Sequence, residues 1–272
     1  LFIRSMKKND APCIVHSDLF YPTMLVIDQK IKKRISIIKA HIDFLEENLE
    51  TKSIWFPSFN YDFCKGKDYD VKKTPSQAGP LTELIRKKYA TWRTLDPVFS
   101  FSGLGKSPNI YLDNEMNPFD QKSIFHQLVA NKGFVFLYGA KLSTSTLIHY
   151  AEHVSQKLIY RYNKIFRGNI INGSKKKLIN YTYHVRPSNI DLNYDWNKLE
   201  KDLKKENILN SFTVQNKEIL HIFDASLFTN FIVKKMKNDP FYLLNISSRK
   251  KCEKIYAILN RPFLITDFEK TR

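Results

Sequence analysis

Cysteine is nearly absent from the 272 residues: Cys13, Cys64 and Cys252 stand far apart and form no CxxC pair. An odd, unpatterned set excludes a disulfide scaffold and a cysteine-built zinc site, and a reducing cytoplasm is the expected compartment. Glycine is scarce at 8 and proline stands at 11, which excludes collagen-like and linker-like chains. Long hydrophobic runs are missing too. The richest apolar stretch, 134–140, falls far short of the ~20 residues that span a bilayer, so no membrane insertion is expected. Residues 1–10 lack an apolar leader core, so no secretory signal is expected. Acidic residues number 27 against 44 basic ones, a formal net charge of +17. Such a field attracts anions. Most of the basic residues are scattered lysines, solvated point charges, whereas planar phosphate recognition recruits arginine. Nucleic acid is therefore not the expected partner.

What the chain does have is apolar mass. Hydrophobic residues make up 43% and aromatics 14%, with 20 Phe and 14 Tyr. That composition excludes wholesale disorder and supplies a core for one large domain. Periodicity predicts a strand at 14–15 and a helix over 29–48, where Ile31, Ile35, Ile38, Ile42, Leu45 and Leu49 form a stripe. Further strands are predicted at 53–56, 99–101, 133–138, 178–185 and 218–223. Helices are predicted to open at Thr74-Pro75-Ser76, to run over 120–131 from an Asp120 cap, and to extend through 143–164. Others cover 195–205, 225–237 and 248–259. The segment 58–73 reads as a loop, and its aromatic-rich part, 59–69, is expected to be exposed, as an acceptor lid or a dimer contact. Strands alternating with helices predict an α/β fold: a central mixed, mainly parallel sheet flanked by helices.

The run 133–138 is followed by a short loop, then by Thr146, His149, Glu152 and His153 on one helix. Ligands bind beyond the carboxyl ends of strands in open α/β folds, and a helix start offers free N–H groups. His149 and Glu152, three residues apart, share a helix face, as does Thr146. A histidine oriented by a carboxylate is a competent general base near neutral pH. The bland alternative is an amphipathic helix with a capping threonine and a surface ion pair. The same residues spell H-x-x-E-H, an inverted zinc-peptidase pattern in which His149 and His153 hold the metal and Glu152 acts as base. That reading needs a third ligand; Glu200 and Glu206 are candidates by position.

Separated pieces resemble one family. Val15-His16-Ser17-Asp18-Leu19 is similar to V-H-S-S-L, and Phe56-Pro57-Ser58-Phe59 to M-P-T-F. Thr74-Pro75-Ser76-Gln77-Ala78-Gly79-Pro80-Leu81-Thr82-Glu83 is similar to T-P-S-x-M-G-x-L-x-E. Arg93-Thr94-Leu95-Asp96-Pro97-Val98-Phe99-Ser100 resembles R-S-x-H-P-x-x-S. Thr146-Leu147-Ile148-His149-Tyr150-Ala151-Glu152 resembles T-S-L-H-L-A-E, and Phe223-Asp224-Ala225-Ser226-Leu227 resembles L-x-D-A-x-x-L. In this order, over about residues 13–235, they resemble the aminoglycoside 3-N-acetyltransferases, the antibiotic N-acetyltransferase family.

The resemblance implies an acyl-CoA-dependent N-acyltransferase, without a metal, built on a fold other than GNAT. One acyltransferase domain is expected over 1–240, with 241–272, which the resemblance does not cover, as a helical extension of the same domain. The resemblance implies His149 as general base and Glu152 as its orienting acid. His16, Ser17, Thr74, Ser76 and Ser100 are the implied contacts to acetyl-CoA or another acyl-CoA. Thr146 and, where the family's acidic segment would stand, His184 and Arg186 are the expected contacts to the acceptor. Two departures bear on that acceptor. The family's histidine in R-S-x-H-P is Asp96 here, a carboxylate that can bind a substrate ammonium or hydroxyl and so joins the catalytic set. The family's acidic F-E-E-x-D-T-S segment reads Tyr181-Thr182-Tyr183-His184-Val185-Arg186-Pro187. A basic chain with an arginine at the acceptor side disfavours a polycationic drug. The expected acceptor is therefore an amino sugar, nucleotide-linked, used in surface-polysaccharide synthesis. An aminoglycoside-resistance enzyme and a zinc hydrolase are the alternatives, and a nucleic-acid-binding relic of the fold is a third. A homo-oligomer stays open.

Overall fold

The computed structural model describes residues 11–26, 34–49, 51–109, 113–214 and 217–269. The chain runs β1 (Cys13–Ser17), α1 (Thr23–Val26), α2 (Arg34–Asn48), β2 (Ile54–Pro57), β3 (Tyr69–Asp70), α3 (Pro80–Lys88), β4 (Trp92–Arg93), β5 (Phe101–Leu104), β6 (Glu115–Met116) and α4 (Ile124–Ala130). It continues through β7 (Phe134–Tyr138), α5 (Leu147–Ser155), β8 (Tyr162–Asn172), β9 (Lys175–Val185), α6 (Trp196–Lys205), β10 (Asn210–Val214), β11 (Lys217–Asp224), α7 (Ala225–Asn238) and α8 (Ile246–Leu259). Residues 1–10, where no leader was expected, and 29–33 of the expected helix lie outside the described residues.

Seven strands form the central sheet in the order β10-β11-β7-β1-β2-β5-β4. The sheet is mixed, as expected, but parallel pairing is confined to its centre. β7, β1 and β2 run parallel; β11, β10, β5 and β4 pair antiparallel. The expectation of a mainly parallel sheet is thus corrected. The antiparallel flanks include β4 and β10, short strands whose few residues leave little period-two signal.

β7 is buried at every residue, as its unbroken apolar run requires of a strand covered on both faces. Phe134, Phe136 and Tyr138 face one way, with Cys13, Val15 and Phe56, against Ile38, Ile42 and Leu45 of α2 and Leu81 and Ile85 of α3. Val135 and Leu137 face the other way, with Ile14 and Trp55, against Phe125 and Leu128 of α4 and Phe228 and Ile232 of α7. A second sheet, β3-β8-β9-β6, stands on that latter side, and the buried Ile170, Ile179 and Tyr181 join its core. Beyond residue 240, Phe241 to Leu244, Cys252 and Phe263 pack into the same core.

Several boundaries move. The helix expected over 143–164 is only α5. A 3-10 turn, Leu142–Thr144, precedes it, and Gln156 in the left-handed region (φ 54°) ends it. Residues from Tyr162 onward are strand β8, closed against β9 by a two-residue turn led by Gly173 (φ 63°). The helix expected from 74–76 begins at Pro80, behind Gly79. The cap expected at Asp120 is Ser123, whose hydroxyl accepts from the His126 N–H at 3.1 Å. No helix among the described residues is long and apolar enough to cross a membrane.

Candidate active site

Beyond the carboxyl end of β7 the chain turns at Gly139 (φ 73°), where a Cβ would stand 2.2 Å from the Asp18 carbonyl oxygen. The 3-10 turn, Ser145 and Thr146 follow, and α5 places His149 in its first turn. His149 Nδ1 lies 2.7 Å from Glu152 Oε2. Glu152 is fully buried. Its Oε1 accepts hydrogen bonds from the Tyr160 hydroxyl at 2.8 Å and from the Tyr194 hydroxyl. Arg161 Nε stands 3.6 Å from that oxygen, and Arg161 Nη2 donates to the Tyr194 hydroxyl at 2.5 Å.

Burial alone would push the Glu152 pKa up. The Arg161 charge and the His149 contact outweigh it and hold the carboxyl well below the usual range. An ionised carboxylate only accepts, so Nδ1 of His149 carries the proton and Nε2 keeps its lone pair. Burial lowers the His149 pKa below its ordinary 6.5. The hydrogen bond to Glu152 pulls the other way, and the Arg161 and Arg186 charges lower it further. The imidazole is therefore neutral at neutral pH and able to take a proton at Nε2.

His149, with 28% of its side chain exposed, opens into a cavity of about 710 Å³. Ser145, Thr146, Arg161, His184, Arg186 and Asn193 line the cavity, with Tyr194, Trp196 and a patch of Phe59, Tyr61, Phe99 and Phe119. No Asp or Glu is among these lining residues. His184 is buried beside the dyad, its Nε2 4.0 Å from Glu152 Oε2. Its ring stacks on Phe119 at 5.0 Å and on His153 at 6.0 Å. Burial drives its pKa well below the ordinary value against the pull of Glu152. Arg186 is exposed, and one of its N–H groups donates to the Leu192 carbonyl at 2.6 Å. A second cavity, also of about 710 Å³, is lined by Ser17, Asp18, Phe20, Pro80, Lys141 and others. Thr144 lines both cavities, so they adjoin at the turn before α5.

The structure thus gathers Thr146, His149, Glu152, His184 and Arg186 at one cavity and Ser17 at the next. The remaining sequence candidates stand elsewhere. Asp96 is buried, and its Oδ1 accepts from the Val98 and Phe99 N–H groups at 2.9 and 2.7 Å and from the Tyr181 hydroxyl at 2.7 Å. It holds a turn and lines neither cavity. Ser100 Oγ donates to the Ser58 carbonyl at 2.6 Å and accepts from Arg93 at 3.1 Å. Thr74 Oγ1 accepts from the Asp70 N–H at 2.9 Å, and Ser76 Oγ meets Thr82 Oγ1 at 3.1 Å. These are loop-fixing bonds. His16 is buried within β1, its pKa lowered by burial to about 4, and it lines neither cavity. Sequence reasoning missed Tyr160, Arg161 and Tyr194. The first two were hidden inside the over-extended helix, and only three-dimensional proximity marks the third.

The zinc arrangement read in H-x-x-E-H does not form. Among the described residues the donor atoms that converge, within 4.8 Å, are those of His149, Glu152 and His184, not His153. Glu200 pairs with Lys204 at 3.0 Å, and Glu206 is exposed at the end of α6. Arg161 already supplies the positive charge beside Glu152.

Among curated proteins no sequence matches the chain. Solved structures do match in fold. AAC-IIIb in a binary complex with CoASH aligns with a TM-score of 0.66 at 14% identity, over 87% of this chain and 93% of that one. The aminoglycoside acetyltransferase AAC(3)-Xa aligns at 0.65 and 17%, over 87% and 90%. The YokD protein from Bacillus subtilis aligns at 0.62 and 17%, over 88% and 91%. Residues 40–237 match the sequence family described as aminoglycoside 3-N-acetyltransferase. With most of its length in that match and the same fold beneath it, the chain belongs to the aminoglycoside 3-N-acetyltransferase family, whose members are acyltransferases that use acetyl-CoA.

Proposed function

We propose that the protein moves an acetyl or related acyl group from its CoA thioester to the amine of an anionic amino sugar, nucleotide-linked, for surface-polysaccharide synthesis. The observation that carries this reading is the wall of the His149 cavity: Arg186 lines it, no Asp or Glu is among its described lining residues, and Arg161 there offsets the Glu152 beneath. Glu152, beneath the wall, is neutralised by its own partners. A polycationic acceptor meets repulsion in such a cavity; a diphosphate meets attraction, and the exposed Arg186 and Asn193 lie where it would enter. Trp196 and Tyr61 offer flat faces for a base.

The adjoining cavity suits the CoA arm. Lys141 gives a cation for phosphate, and Phe20, 75% exposed, gives a stacking surface. Thr144 is the shared wall through which a thioester reaches His149. In the reaction, the acceptor amine attacks the thioester carbon while His149 Nε2 takes its proton. The carbonyl π pair moves to oxygen. Collapse restores the carbonyl and breaks the C–S bond, and the His149 proton goes to the departing thiolate. Glu152 keeps Nδ1 protonated and stabilises the imidazolium formed on the way.

Calorimetric titration with coenzyme A, followed by thiol-release assays, tests the reading. Micromolar CoA binding is expected. Turnover is expected with a nucleotide diphosphate amino sugar, weakened through KM by Arg186→Ala. Rapid turnover with an aminoglycoside and none with the nucleotide sugar would overturn the acceptor assignment, and absence of CoA binding would overturn the whole reading.

A further inference from the structure

Acyl transfer passes through a tetrahedral oxyanion, which needs donors that hold no other partner beforehand. We infer that the hydroxyls of Ser145 and Thr146 supply them; the inference rests on the acyl transfer proposed above. Ser145 is 2% exposed, lines the cavity, and its Oγ has no hydrogen-bond partner. Buried polar groups are ordinarily paired, so an unpaired hydroxyl in a cavity wall marks a place where a ligand atom completes it.

Thr146 is the residue at the helix N-cap, yet its side chain makes no cap bond. A threonine there ordinarily accepts from an N–H of the first turn, with its own backbone extended. Here the 3-10 turn runs straight into α5 and holds Thr146 in the helical region (φ −69°, ψ −16°). The usual cap geometry is lost, and the hydroxyl is left to the cavity that Thr146 lines. Both hydroxyls sit at the positive end of α5, nine residues long, which favours negative charge. Thr146 and His149 are three residues apart on one helix face. A carbonyl oxygen held by the hydroxyls therefore places its carbon next to an amine held at His149 Nε2. Arg161, also on this wall, donates to Tyr194 and stands 3.6 Å from Glu152, while His184 Nε2, which likewise has no hydrogen-bond partner, lies 4.0 Å from the same carboxylate.

The step balances without a further reactant. The two hydroxyls donate hydrogen bonds to the oxygen while it bears the displaced electron pair, and they keep their protons throughout.

Difference infrared spectroscopy of bound acetyl-CoA, carbon-13-labelled at the carbonyl, reads these donors without any acceptor. In the wild-type complex the thioester carbonyl band is expected below that of free acetyl-CoA. Ser145→Ala and Thr146→Val should each move it back toward the free position, and Thr146→Ser should retain the shift. In the thiol-release assay each loss of a hydroxyl should lower kcat by about 100-fold while CoA affinity stays within about threefold. An unshifted band in the wild type, or a shift and a kcat that persist in both variants, would overturn the inference while leaving acyl transfer intact. Failure of acetyl-CoA to bind would overturn the acyl-transfer reading and this inference with it.

Discussion

His149 and Glu152 meet through a 2.7 Å contact between Nδ1 and Oε2, and the carboxylate that receives the imidazole N–H touches no solvent. The pair is thereby set in one tautomer, with Nε2 as the free lone pair. A base works when unprotonated, and burial lowers the His149 pKa below its ordinary 6.5. With acceptor saturating, kcat is therefore expected to be level at neutral pH and to decline on the acid side of an apparent pKa under 6.5. His149→Ala should lower kcat by about 100- to 10,000-fold and remove that acid limb, with CoA still bound. Glu152→Gln should act through the tautomer: an amide N–H aimed at Nδ1 moves the proton to Nε2 and takes the base away. A pH–rate profile of the variants checks this, and a His149→Ala enzyme with an unchanged acid limb would exclude the role.

Asp96 behaves differently. Its carboxyl accepts three hydrogen bonds in a turn, and burial lifts its pKa from 3.8 to about 6 against those bonds. A folded-state pKa above the unfolded one means that the native state binds the proton more tightly. Stability therefore declines as pH rises from 3.8 to about 6 and stays lower above it. Asp96→Asn removes the buried charge and keeps an acceptor for the two N–H groups. It should be at least as stable as wild type at pH 8, with its advantage gone near pH 4, and kcat should change less than about threefold. Chemical denaturation at the two pH values reads the first expectation. A large loss of kcat would restore the catalytic role that the sequence motif implies.

The sequence carried most of what local pattern can carry. The apolar run of β7 and the stripe of α2 were legible because their periods are set by burial on the sheet. His149 and Glu152 were legible because a helix brings residues three apart together. What escaped was fixed by tertiary contact. Tyr160 and Arg161 looked helical because they follow α5, but they leave the helix to bond Glu152. Ser100, Thr74 and Ser76 looked like ligand hydroxyls because they fall in two family-like motifs at strand ends and helix starts. The structure uses them to tie loops to Ser58, Asp70 and Thr82. A motif records which residues recur together; it does not say which of them face the ligand.

Arg161 is the residue on which the dyad's charge state depends. Its guanidinium is the largest favourable influence on the Glu152 carboxylate, which burial would otherwise protonate. Arg161→Met leaves that carboxylate buried without its counter-charge, which should cost about 3–5 kcal/mol at neutral pH. The pH dependence has a definite sign. The folded-state pKa of Glu152 is depressed below its ordinary 4.5, so the pairing stabilises the protein above that value and is lost as pH falls through the folded pKa. Without Arg161 burial raises the carboxyl pKa, and the variant can relieve its unpaired charge by binding a proton. Its deficit relative to wild type should therefore be largest near pH 8 and shrink toward pH 5. Adding Glu152→Gln to Arg161→Met should recover part of the lost stability and none of the activity, because the missing charge then has no partner to strand. Urea denaturation of the three proteins at both pH values checks this. A deficit below about 1 kcal/mol that does not vary with pH would mean that His149, Tyr160 and Tyr194 suffice to keep Glu152 ionised.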